Sequence, residues 1–435
     1  MRAPIAFTYG NCVFAEGLAD AWAAFVVETS SYQWLADDAK RTRFAALLGA
    51  LEAIEADVQI LRVGSLADVT RYRRGLVDAE GRVGRHERTC ERYVAEHVRR
   101  LQELASARVA LFMFVSLRDP EHDVATYVSR LAERGLGDWW QSLRGLFALR
   151  DRRMLRVSEL ERVRVRADQA HARLSDFLSV REARGVELQW LVRRVYCRGL
   201  AEPQVDGLHE PRALVFERNG EAVLAPLEGD VLRWTDSSVE HRGRCLRIGS
   251  ESGTSWQAQL VLGALPERSH FPGAHAELMF APAESLPFAI DLSLNARYLP
   301  NDLALRIARK RIQDADQIVR AESDGEQGVS DLGYARTQEA RDLLTYLQAS
   351  SRPPLLRATL AVAVAAEREE ELEERVEMCR RAFGEIRLHR PLGDQLELFL
   401  QHLPGQRTRV AGYDDTLTPE QVAAMMPTAA HEAGS

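Results

Sequence analysis

Apolar residues along this chain recur in short segments whose period switches between two and 3.6, strand against helix, at both ends of the sequence. Near the N-terminus, Ala21 to Glu28 is aromatic and β-branched enough to read as a strand, and Phe44, Leu47, Leu48, Leu51 and Ile54 then fall on one helical face. Val58, Ile60 and Arg62 alternate with Gln59, Leu61 and Val63 up to Gly64, the pattern of a second strand. Val94, Val98, Leu101 and Ala105 mark a further amphipathic helix, and Arg108 to Leu117 reads as a central strand. Asp119 and Pro120 open a helix whose stripe is Val124, Tyr127, Val128 and Leu131. Towards the other end, Leu355 to Ala366 is a long strand, Glu367 to Phe383 a helix terminated by Gly384, Glu385 to Leu388 a short strand and Gly393 to Gln401 a last helix. This alternation predicts an α+β protein of small sheets covered by helices, with the ferredoxin-like split βαβ as the first expectation for both ends.

A chain of 435 residues exceeds one hydrophobic core, so it divides into modules. The predicted order is an α+β domain at 1–135, a helical region at 136–205, a β-rich segment at 206–285, a second α+β unit at 286–405, and a connection at 406–435. In the helical region, Leu160, Ala167 and Leu174 interleave with Val163, Ala170 and Phe177 as an a/d seam, which packs either as a helical hairpin inside the protein or against a partner helix. A second helix there carries Leu188, Leu191, Val192 and Val195, and the polar stretch Ala201 to Arg212 serves as a linker. Asn219-Gly220 between Leu214–Glu217 and Ala222–Ala225 is a hairpin turn. Further strands are predicted at Val231–Thr235, Cys245–Ile248, Trp256–Leu262 and Phe288–Ala296. In the last of these, Ile290, Leu292 and Leu294 face a core while Asp291, Ser293 and Asn295 face solvent. Helices follow at Asp302–Ala321 and Arg336–Gln348, and Thr418-Pro-Glu-Gln421 is a capping box that starts another.

Several chemistries are excluded by what the residues do not supply. Only two lysines occur, Lys40 and Lys310, and neither follows a glycine, so the phosphate-cradling signature G-x-x-x-x-G-K-S/T is absent. No catalytic, cofactor-binding or metal-ligating residue is assigned. The histidines form no H-E-x-x-H, and the five cysteines are scattered with no C-x-x-C pair, which argues against a zinc site or a disulfide scaffold and for a reducing compartment. Ser269, His270 and His275 lie near Glu267 and Glu277 but outside any nucleophile-elbow motif, and they read as surface loop residues. A net charge of −7 does not suit a surface built throughout to neutralise phosphates. The N-terminus lacks a secretory h-region, and the apolar run Val109 to Val115 is about a third of the ~20 residues that a membrane-spanning helix requires.

Two features suit partner contacts instead. Trp139 and Trp140 are adjacent and cannot both face one core, so one of them, beside Leu136 and Leu143, is a candidate docking patch. Arg152, Arg153 and Arg156 belong to the densest basic cluster and are candidate contacts to nucleic acid or to anionic head groups. The alternative is that Asp151, Glu159 and Glu161 balance them. The acidic run Glu367 to Glu377 reads as the wet face of its helix, and Asp37-Asp38 and Asp414-Asp415 as caps or solvated turns.

The order of landmarks resembles the N-terminal region of the CagE/TrbE/VirB family, the large ATPases of conjugative type IV secretion systems. The carriers are Phe7-Thr-Tyr-Gly-Asn11 leading to Trp22-Ala-Ala-Phe-Val-Val-Glu28 and Tyr32, then Leu262-Gly-Ala-Leu-Pro266 and Leu286-Pro-Phe-Ala-Ile-Asp-Leu-Ser293. The last is Gln395-Leu-Glu-Leu-Phe-Leu-Gln-His-Leu-Pro-Gly405, followed by the Thr418-Pro-Glu helix start and Met425-Met-Pro427. Nearly the whole chain is covered, with 213–244 and 324–333 matching least. The resemblance implies a cytoplasmic protein at the inner face of the cell membrane, docked on inner-membrane subunits of a conjugation machine and assembling as a homo-oligomer. It implies ATP and magnesium for a complete protein whose P-loop domain comes after this chain, and hence that Ser435 ends a fragment. A stand-alone assembly factor without a motor, or a nucleic-acid-binding module, are the alternative expectations.

Overall fold

The computed structural model describes residues 4–430 apart from 67–95, 97–106, 119–153, 264–270 and 324–330 and the positions 16, 30–31, 206, 219, 228, 274–275, 385 and 411. In chain order the first elements are β1 (Phe7–Tyr9), β2 (Cys12–Phe14), β3 (Ala21–Val27), α1 (Asp37–Ile54), β4 (Val58–Leu66) and β5 (Ala107–Ser116). Next come β6 (Leu155–Arg156), α2 (Val157–Ser175), β7 (Val180–Glu182), α3 (Gly185–Tyr196), β8 (Ala213–Arg218), β9 (Glu221–Pro226), a 3₁₀ turn (Asp230–Trp234), β10 (Ser237–Arg242) and β11 (Cys245–Ser250). The rest are β12 (Gly253–Leu262), α4 (Ala281–Glu284), β13 (Asp291–Leu299), α5 (Asn301–Ser323), α6 (Asp331–Leu347), β14 (Leu355–Ala366), α7 (Glu369–Ala382), β15 (Leu388–His389), α8 (Gln395–Leu400), β16 (Asp415–Leu417) and α9 (Pro419–Ala424).

The strand order resolves into two ferredoxin-like units placed edge to edge. In the first, β3, α1, β4, β5, α2 and β7 follow one another as βαββαβ, and the sheet order β7-β3-β5-β4 is that of a split βαβ. In the second, β12, β13, β14, α7 and β15 repeat the strand order as β15-β12-β14-β13, with the four-residue α4 as the described helix between β12 and β13. The hairpin α5–α6 is inserted between the second unit's middle strands, where Asn301 Nδ2 donates to Leu347 O at 2.9 Å and Pro353 O at 2.8 Å. The two units join through antiparallel pairing of β4 with β13, from Leu292 opposite Arg62 to Ala296 opposite Val58, so one sheet runs through both. The α+β expectation and the ferredoxin-like plan for both ends therefore hold, but the small separate sheets expected are one 13-stranded sheet, because β4 and β13 pair edge to edge.

Period-two alternation assigns the sheet two faces. On one, Phe25, Ile60, Met113, Leu292, Leu294, Leu360 and Val362 meet Leu47 and Leu51 of α1, Leu160 and Leu174 of α2, and Leu372, Val376 and Cys379 of α7. Gly384, at φ +61°, ends the α7 turn, and the acidic residues of α7 lie on its outer faces as expected. On the other face, Trp22, Leu61, Phe112 and Phe114 pack under Leu188, Leu191, Val192 and Val195 of α3 and under Phe399 and Leu403.

The helical region differs from expectation in three respects. The a/d residues of α2 pack within the protein, but against α1 and β3 rather than a second hairpin helix. Short strands β6 and β7 flank α2, and β7 completes the first unit. The stretch 201–212 is stitched down rather than loose: Trp190 Nε1 donates to Glu202 at 3.1 Å, Arg193 Nη1 to Gln204 O at 2.9 Å and Trp234 Nε1 to His209 O at 2.7 Å. Downstream, the segment Val231–Thr235 forms a 3₁₀ turn instead of a strand. Gly229 at φ +77° redirects the chain there, and Asp230 accepts the Arg212 backbone N–H at 2.8 Å. Finally, β12 lies upstream of residue 286 yet opens the second unit.

Candidate functional site

The residues with the most concentrated polar chemistry lie at the seam between the two units, on the α3 face. Alternation sends Gln59 of β4, Asp291, Ser293 and Asn295 of β13, Thr359 of β14 and Gln257 and Gln259 of β12 to this one side. A solvated face was expected for β13. Instead all three of its polar residues are buried, with Asp291 only 2% exposed. The cover comes from α3 and from a strap, residues 395–410, that crosses both units.

Asp291 is the charged centre of this layer. Its Oδ1 accepts the Gly64 backbone N–H at 3.0 Å, and its Oδ2 pairs with Arg198 just past the end of α3. Arg194 stands 3.7 Å away and donates to Gly64 O at 2.6 Å. Arg198 also donates to Gln257 Oε1 at 3.1 Å and lies over the Phe399 ring, 5.8 Å from its centroid. Burial pulls the Arg198 guanidinium below its usual range, and the Asp291 carboxylate works against that shift. One carboxylate thus binds a strand of each unit and a helix together.

The strap is fixed by Gln59, whose Nε2 donates to Gln401 O at 2.8 Å and Leu403 O at 2.9 Å while its Oε1 accepts Gly405 N–H at 2.8 Å. Ser293 Oγ donates to Gln401 O at 2.8 Å, and Gln395 exchanges hydrogen bonds with the Gln259 backbone at 2.8 and 2.9 Å. Gly405 sits at φ +68° with the Trp22 ring 3.1 Å from where a Cβ would be, so the Leu403-Pro404-Gly405 corner favours glycine at its end. Arg407 then clamps the first unit: it pairs with Asp57, reaches Asp20 at 3.3 Å and Ser116 Oγ at 2.8 Å, and lies 4.9 Å over the Trp22 ring.

This chemistry binds the two units to each other. The Ser255 and Ser293 hydroxyls both donate to carbonyl oxygens, those of Arg198 and Gln401. Burial holds His402 well below the usual imidazole range, with the nearby Arg198 charge adding to the shift, so the ring is neutral. His402 Nε2, both side-chain amide atoms of Gln259 and of Gln401, and Asn295 Oδ1 have no hydrogen-bond partner among the described residues, and an unmet buried group raises the free energy of the layer. Among the described residues no cluster of three or more His, Cys, Asp or Glu side chains is arranged to hold a metal ion, and no helix is long and apolar enough to cross a membrane.

Leu136, Trp139, Trp140, Leu143, Arg152 and Arg153 lie outside the described residues, as do Glu267, Ser269, His270 and His275. Arg156 is described and exposed. Its guanidinium pairs with Glu221 of β9 at 3.2 Å, and its backbone N–H donates to Glu159 at the start of α2 at 2.9 Å, so its charge is balanced across strands. Glu277, expected on a surface loop, is buried: it accepts from Tyr32 Oη at 2.7 Å and pairs with Lys40 at 3.4 Å. Tyr32 also borders a cavity of about 60 Å³ with Glu28, Arg43, Phe177 and Met426. Sequence reasoning did not single out Gln59, Arg198 or Asp291. For Gln59 and Asp291 the one signal was polar residues recurring on a single face of adjacent strands, and Arg198, just past α3, had none.

The sequence matches no protein-family model, and no curated protein is significantly similar to it.

Proposed function

We propose that this chain is the docking and assembly region of a type IV secretion ATPase, a platform that positions a motor on inner-membrane subunits. The observation that supports the reading is convergence. Three of the strings that carry the resemblance lie far apart in sequence and meet at the seam. Trp22 lies under Gly405, Ser293 donates to Gln401, and Asp291 closes the layer beside Phe399 through Arg198. Their meeting at one seam makes these strings parts of a single structural unit, the one that the resemblance singles out.

In this reading the strap ties whatever follows it to both units at once, and binding is the work of these residues. ATP and magnesium belong to a complete protein with a P-loop domain. The location is cytoplasmic and peripheral at the inner face of the membrane, and the assembly is a homo-oligomer. The test is co-expression of the chain with the inner-membrane subunits of a type IV secretion system, then detergent extraction and affinity purification. Stoichiometric recovery of a membrane subunit sustains the proposal, and a chain that stays unbound removes its basis. A motorless assembly factor is favoured if the reading frame closes after Ser435 without reaching G-x-x-x-x-G-K-S/T. Tight duplex binding that falls steeply with salt moves the weight to nucleic acid, a reading that the Arg156–Glu221 pair does not favour.

A further inference from the structure

We propose that the free edge of β8 is a strand-addition site for an extended segment of a different protein, apolar at its centre and carrying a carboxylate at each end. This site is distinct from the seam and does not depend on the secretion reading. Among the described residues the small sheet runs β6-β9-β8 and stops at β8. Leu214, Val215 and Phe216 are 60%, 66% and 39% exposed, and since neighbouring side chains point to opposite faces, both faces of the edge are apolar. Such an edge is a template for another strand unless it is guarded. The large sheet shows guarding at its own ends. There β10 carries Glu240 and Arg242, paired at 2.7 Å, with Arg247 3.4 Å from Glu240 on β11, while β1 is very short. On β8 the charges stand only at one end, Glu217 and Arg218, and among the described residues nothing guards the stretch Leu214 to Phe216.

Backbone parity shows which groups are free. Arg212 turns inwards, its O accepting Leu227 N–H at 2.9 Å and its N–H donating to Asp230 at 2.8 Å. Alternation along the strand then directs the N–H and C=O of Ala213, Val215 and Glu217 outwards.

Parity also selects the occupant. A second copy pairing antiparallel must set outward residues against outward residues. The register that buries most apolar surface is centred on Val215 and places Leu214 against Phe216. The same register sets Arg212 directly opposite Arg218 at both ends, and like charges in that position oppose pairing. Carboxylates there complement both arginines. The Arg218 guanidinium reaches Met154 Sδ at 3.7 Å, with Glu221 opposite it on β9, and the Arg212 side chain is more than half exposed beside Asp230. A strand with an acidic residue at each end and aliphatic residues between them fits this edge, and a copy of β8 in the register that buries most apolar surface does not.

The probe is the peptide acetyl-Glu-Thr-Val-Ile-Leu-Thr-Glu-amide carrying a fluorophore, with binding to the full chain followed by anisotropy. Saturable binding is expected, weakened about tenfold when both glutamates become glutamines, the loss of two cross-strand charge pairs. Val215→Pro removes an outward N–H that the β8–β9 ladder does not use, and it should abolish binding while far-UV circular dichroism stays unchanged. Should that variant unfold, Arg218→Glu keeps the question open to test: it should lose affinity for the glutamate peptide and regain it for one with lysine at the end opposite position 218. Absence of binding to the wild-type chain overturns the proposal, as does equal binding to folded Val215→Pro. A dimer that Val215→Pro converts to monomer also overturns it, because a second copy would then hold the edge.

Discussion

Replacing Gln59 by leucine probes the seam most directly. The amide serves three backbone groups of the strap: Gln401 O, Leu403 O and Gly405 N–H. Gln401 O keeps its bond from Ser293 Oγ, so two groups are left buried without a partner. At about 2 kcal/mol for each orphan, less about 1 kcal/mol for the added apolar burial, the expected loss is about 3 kcal/mol. The loss should be local before it is global. Hydrogen exchange at the Gly405 amide should speed up about a hundredfold, while amides of β14 shift only with overall stability. Urea unfolding followed by tryptophan fluorescence gives the global figure. A loss below about 1 kcal/mol, or unchanged exchange at Gly405, would show that packing on Trp22 and the Arg407 clamp hold the strap without the amide.

Asp291→Asn should destabilise the chain by about 3–5 kcal/mol, because Arg198 stays buried without its counter-charge, and adding Arg198→Met should recover much of that loss in the same urea titration. Gly405→Ala should cost at least about 1–2 kcal/mol from its left-handed backbone alone, with a further penalty against the Trp22 ring, read as a lowered thermal midpoint. Glu187 is a pH probe. Hydrogen bonds from Arg181 and Arg184 outweigh its desolvation and hold its carboxyl down to about 2. A depressed folded-state value gives stability that is present above the unfolded carboxylate range and is lost as pH falls towards about 2. Glu187→Gln should therefore lower the urea midpoint at neutral pH and converge with the wild type in acid.

Much of the framework was legible because local period and local turn chemistry decide it. The strand Leu355–Ala366 is β14 residue for residue, β8 and β9 form the expected hairpin with Gly220 at φ +77° between them, and the Thr418 capping box closes with Gln421 N donating to Thr418 Oγ1 at 3.2 Å. What failed depended on distant cover. Alternation in β13 correctly put Asp291, Ser293 and Asn295 on one side, but it carries no information on whether water or residues from the far end of the chain lie above them. Glu277 was misplaced for the same reason, since its partners Tyr32 and Lys40 come from the first unit. Strands as short as β6 and β7 leave no periodic trace, and Val231 to Trp234 has strand-like residues in a span that Gly229 and Asp230 fold into a turn. The exposed edge had a visible cue: Leu214-Val215-Phe216 puts apolar side chains on both faces of one strand, and a three-stranded sheet is too small to cover both.

The β4–β13 ladder also has a mechanical meaning. Two modules joined by a peptide linker can swing freely, whereas these are joined by hydrogen bonds running from Val58 opposite Ala296 to Arg62 opposite Leu292. Traction along those strands loads the bonds together, in shear, and one of them cannot part before the rest. A pull on the strap enters through Gln59 in β4 and Ser293 in β13, one on each side of that ladder. The molecule should therefore carry force as a single stiff beam, and a push at one unit should arrive at the other without play.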